Sequence, residues 1–127
     1  MSINRCIILF AHGARDPAWS EPFERLRASL ATRIPEVPIS LAYLEFMQPD
    51  LAGAVAAHAA AGATHVDVVP VFMAQGAHLK RDLPMLVGEL GSRYPQITFR
   101  LQPPVGEAQA VLDAIAAHID TSLKQPV

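Results

Sequence analysis

At 127 residues the chain is long enough for one folded domain with a single core, spanning residues 1–127. It is 51% hydrophobic and 17% charged with a formal net charge of -2, so electrostatics gives no reason for contact with nucleic acid or any other polyanion surface. The N-terminal apolar run CIILF is too short for a signal h-region or a membrane span, and no later segment reaches spanning length, so a cytoplasmic protein without membrane contact is expected.

Taken in chain order, RCIILFA (5–11) is a nearly continuous apolar run, as expected of a strand buried on both faces of a parallel sheet. A helix opened by Pro17 should follow, with Phe23, Leu26, Leu30 and Ile34 at helical spacing until Pro35 and Pro38 stop it. PISLAYLE (38–45) reads as a second strand. Asp50 has the chemistry of an N-cap for the alanine-rich helix 51–61, and Gly62 suits the residue just past its end. THVDVVPVFMA (64–74) supplies a third strand, and Pro84 places the start of the next helix near Asp82, with Pro95 closing it. ITFRLQ (97–102) is a fourth strand. The last helix lies within GEAQAVLDAIAAHIDTSL (106–123), with Val111, Leu112, Ile115 and Ile119 expected to face inward. This order predicts an α/β fold, a four-stranded parallel sheet flanked by helices.

In open α/β sheets the ligand site lies beyond the carboxyl ends of the strands. His12 follows the first strand, Glu45 ends the second, and His78 falls in the loop after the third. If the second and third strands flank the first on either side, these three side chains converge on one edge. Two neutral imidazoles and a carboxylate can hold a first-row divalent ion or move protons. No thiolate set or paired-histidine spacing is present, so an open or transient metal site fits better than a closed structural one.

The other polar residues weigh less. Gly13 permits a tight turn of positive φ, but HGAR lacks the spacing and lysine of a phosphate loop. Arg15 and Asp16 either pair with each other or steer an anionic substrate. His58 and His118 lie on helices and His65 at the amino edge, where structural or solvent-facing roles are expected. Cys6, the single cysteine, reads as a small buried thiol. Met73, beside the site loop, is placed to touch a flat apolar ligand.

FAHGARDP, YLEFMQPDL and VPVFMAQGAHLKRDLP together resemble the short form of the sirohydrochlorin cobaltochelatase and ferrochelatase family, the class II chelatases. The resemblance runs from about residue 5 to 105. Relatives carry GHGSRDP at the first motif, where this chain has Ala11 and Ala14 in place of a glycine and the serine. The resemblance implies a chelatase-like half-domain that inserts Co²⁺, Fe²⁺ or Ni²⁺ into sirohydrochlorin for cobalamin or siroheme synthesis. The ion would be a substrate, with no permanent cofactor. His12 and His78 match the family's site histidines, as catalytic groups and metal ligands, and Glu45 matches an associated carboxylate. Larger relatives contain two similar halves around a cleft, so a homodimer is implied here. The substrate is a polycarboxylate, so Arg15, Lys80 and Arg81 are expected at the mouth of the site. A metal or tetrapyrrole carrier without turnover is the rival reading, and a metal-assisted hydrolase is possible on fold grounds alone.

Overall fold

The computed structural model describes residues 3–127. Strands β1 (Arg5–Ala11), β2 (Ile39–Tyr43), β3 (His65–Pro70) and β4 (Thr98–Leu101) alternate with helices α1 (Glu21–Arg33), α2 (Leu51–Ala60), α3 (Ala77–Arg93) and α4 (Gln109–Leu123). Short 3₁₀ turns at Pro17–Ser20 and Val105–Glu107 precede α1 and α4. Every pairing is parallel and the strand order is β2-β1-β3-β4. β1 is therefore flanked on both sides, which explains its apolar run, and its carboxyl end lies between those of β2 and β3.

One face of the sheet carries the larger core. Cys6, Ile8 and Phe10 of β1 and Val66 and Val68 of β3 pack there against Leu51 and Val55 of α2 and Leu83, Val87 and Leu90 of α3. Burial in this layer, with the Asp67 carboxylate nearby, pushes the Cys6 thiol up to about 11. On the other face Leu9, Ala11, Leu41 and Tyr43 meet Trp19, Phe23 and Leu30. Asp50 caps α2 as expected, its side chain accepting from the Gly53 N–H at 2.8 Å, and Gly62 just beyond that helix has φ +89°.

Two expectations are corrected. α3 begins at Ala77 rather than near Asp82, so Pro84 lies inside the helix and His78 lies in its first turn rather than in a loop. Leu79, Leu83, Leu86, Val87 and Leu90 anchor α3 to the core, while Pro84 is on the exposed side, where water can satisfy the carbonyl that loses its partner. Of the apolar residues of α4 expected to face inward, only Val111 does so, and only in part. No residue of α4 is buried, and Leu112, Ile115 and Ile119 are all exposed. β3 carries Asp67, paired with Arg5 at 3.8 Å and Arg100 at 3.2 Å. No helix among the described residues is long and apolar enough to cross a membrane.

Candidate functional site

The carboxyl edge is built by three strand ends. β1 stops at Ala11, and the next two residues, His12 and Gly13, lie against the turn that follows β2. Leu44 N–H donates to the Ala11 carbonyl at 2.9 Å and Glu45 N–H to the His12 carbonyl at 3.0 Å. Gly13 has φ +86°, and a Cβ there would collide with the Glu45 carbonyl oxygen, so only glycine allows this approach. The His12 backbone is thus fixed by the neighbouring loop.

Its ring is fixed from the other side. The exposed His12 imidazole stacks on Phe72, with ring centroids 4.4 Å apart and planes inclined by 35°. Phe72 is buried and meets Phe10 edge-on at 5.9 Å, so the histidine stands on a core aromatic rather than on a mobile loop. The segment after β3 is seated in turn on the C-terminal region. Gly106 N–H donates to the Phe72 carbonyl at 2.9 Å, and a Cβ at Gly106 would run into the Met73 backbone.

His78 is exposed at the start of α3. Arg81, one turn on, places its Nη2 3.2 Å from His78 Nδ1. Guanidinium is always a donor, so Nδ1 is the acceptor in this contact. Arg81 also lies 3.6 Å from Asp82. Lys80 is exposed beside it, and Met73 is exposed at the end of the preceding segment.

Glu45 is exposed at the same edge. The structure places His12, Glu45 and His78 at the carboxyl ends of β1, β2 and β3, but among the described residues no three His, Cys, Asp or Glu side chains are grouped closely enough to hold a metal ion. A single chain therefore presents an open rim with donors spread along it. Arg15 does not pair with Asp16, whose carboxylate accepts from the Ala18 N–H at 3.0 Å. The Arg15 guanidinium instead lies 4.4 Å above the Phe46 ring.

Phe46 is the residue at this edge that sequence reasoning passed over. It has φ +67°, the one positive φ outside glycine among the described residues, at a cost of about 1 kcal/mol or more for a non-glycine side chain. Only the exposed aromatic between Glu45 and Met47 could have hinted at it.

The opposite, amino edge holds a cavity of about 380 Å³ lined in part by Asn4, Cys6, Glu36 and His58. His58, expected to be helix-surface, is half-buried, lies 2.8 Å from the Ser40 hydroxyl through Nε2, and is held below the usual imidazole range by burial.

A model of the CbiX family matches residues 6–122. A sirohydrochlorin ferrochelatase from Bacillus subtilis (strain 168) is 28% identical over 117 residues, covering 89% of this chain and 43% of the relative. A sirohydrochlorin cobaltochelatase from Methanosarcina acetivorans is 24% identical over 124 residues, covering 92% of this chain and 95% of the relative. The chain thus spans less than half of the first relative and nearly all of the second. Among solved structures, a CbiX protein from Marinobacter aquaeolei VT8 superimposes with a TM-score of 0.85 at 32% identity, covering 96% of this chain and 99% of the other. SirB from Bacillus subtilis with Fe³⁺ gives a TM-score of 0.80 at 26% identity, covering 98% of this chain and 49% of that one.

Proposed function

Because the chain belongs to the CbiX family, we propose that it inserts a divalent ion, Co²⁺, Fe²⁺ or Ni²⁺, into sirohydrochlorin in cytoplasmic tetrapyrrole biosynthesis. The observation that carries this reading is the rim itself. His12 is held between a core aromatic and the β2 turn, at the same sheet edge as His78, in a chain whose relatives are named sirohydrochlorin chelatases. Those names favour an enzyme over a carrier.

The reaction exchanges two pyrrole protons for one metal ion, with no change of oxidation state. It needs bases near the macrocycle centre and a metal site weak enough to release its ion. His12 offers an exposed imidazole of fixed orientation as metal ligand and proton acceptor. His78 takes the same roles once Arg81 turns from its Nδ1 to a stronger acceptor, and a substrate carboxylate is such an acceptor. Binding of the substrate would thereby free the second imidazole. Glu45 adds negative charge for the incoming ion, Arg15 and Lys80 take peripheral carboxylates, and Met73 meets an apolar part of the ring.

The spread of these donors along an open rim supports a homodimer in which a second copy closes the site.

The test is anaerobic absorbance of sirohydrochlorin with Co²⁺ or Fe²⁺, comparing wild type, His12→Ala and His78→Ala with the spontaneous rate. Multiple turnovers are expected from wild type, with each variant slowed about 100-fold or more. A wild-type rate equal to background, with tetrapyrrole still bound, would move the protein to the carrier reading.

A further inference from the structure

We propose that Phe46, backed by Arg15, is the platform on which one face of the macrocycle rests; this deepens the tetrapyrrole reading above and depends on it. The backbone supplies the first observation. Phe46 occupies the left-handed region, where glycine would be at ease and a bulky aromatic is not. The turn that imposes this is held on both sides. Tyr43 N–H donates to the Pro49 carbonyl at 2.9 Å, Glu45 N–H donates to the His12 carbonyl, and Gly13 presses on the Glu45 carbonyl. Such over-determined strain gathers at ligand sites.

Burial supplies the second. Phe46 is 54% exposed, so it adds little to the core, and a polar residue would suit solvent better. It is adjacent in sequence to Glu45, whose N–H is bonded to His12, and Leu44 and Met73 extend the exposed apolar surface at the same edge. The third observation is charge. Arg15 covers one side of the ring at 4.4 Å, holding it in place and setting a cation beside it. A flat π-surface next to a guanidinium complements a flat, conjugated ligand with carboxylates on its rim. The macrocycle face would stack on Phe46 while a peripheral carboxylate reaches Arg15. Aromatic and arginine side chains also anchor protein interfaces, so sedimentation separates a subunit contact from a ligand platform.

The experiment uses Phe46→Gly and Phe46→Leu, with three readouts: metal-free sirohydrochlorin affinity by absorbance titration, melting temperature, and sedimentation. Phe46→Gly should melt at or above the wild-type temperature, because the backbone strain is relieved, yet bind sirohydrochlorin about 10-fold more weakly. Phe46→Leu should keep part of that affinity, and both variants should raise KM more than they lower kcat. Wild-type affinity in Phe46→Gly would overturn the proposal, as would a lower melting temperature with unchanged affinity. So would a shift toward monomer with unchanged affinity, which would assign Phe46 to the subunit contact. Failure of the wild-type protein itself to bind sirohydrochlorin would remove the tetrapyrrole reading and this inference together, and is distinguishable because the variants are then not needed to see it.

Discussion

Gly13 sets how closely the first two strand-end loops approach. Any side chain there meets both a positive φ and the Glu45 carbonyl, which belongs to a turn hydrogen-bonded to β1 and cannot easily withdraw. Gly13→Ala is expected to destabilise the fold by about 2–4 kcal/mol, seen as a fall in melting temperature of about 10 °C. An unchanged melt would mean that the turn carrying Glu45 and Phe46 yields, and the rigidity assigned to it would be wrong. At this scale the sequence was informative where a residue's position follows from a strand end. His12, Glu45 and His78 could be placed on one edge because a parallel sheet sends all its carboxyl ends the same way. The Phe46 backbone, the Phe72 stack and the Arg81 contact could not, because each depends on how two loops distant in sequence meet.

Among the elements, α3 shows how a strong local signal can mislead. Proline is far commoner in a first turn than in a helix interior, so Pro84 drew the expected start toward Asp82. Core anchoring by Leu79 and Leu83 outweighs that preference and carries the helix back to Ala77. Replacing Pro84 by alanine restores a backbone N–H and removes the ring clash, worth about 3 kcal/mol, while loosening the unfolded chain costs about 1 kcal/mol. Pro84→Ala should therefore be more stable by about 2 kcal/mol in denaturant titration. A less stable variant would show that the proline's own packing matters more than the missing hydrogen bond. α4 fails differently. Its periodicity identifies an apolar stripe correctly but says nothing of what lies opposite.

For the whole molecule, the α4 stripe is where a second copy has most to gain. Ile115 and Ile119 are exposed in the single chain, so Ile115→Glu with Ile119→Glu should leave its melting temperature nearly unchanged if the protein is monomeric. In the proposed homodimer the same pair should yield monomers in sedimentation and lose most chelatase activity. Dimers of wild-type affinity in that variant would place the contact elsewhere. The fold class and strand order were legible because alternating apolar runs and helical periods leave few topologies open. What one chain leaves incomplete was legible only through resemblance to longer relatives.

The seat that Gly106 provides beneath Met73 bears on how the protein comes off the ribosome. His12 and its β2 turn can meet once the first fifty or so residues have emerged, on the order of seconds into synthesis. The backbone from Phe72 to Met73 lacks its Gly106 seat until β4 and the turn after it are made. A nascent or prematurely terminated chain therefore contains both histidines without the full support of Phe72, on which the His12 ring stacks, and metal capture as proposed here is deferred until translation is nearly finished.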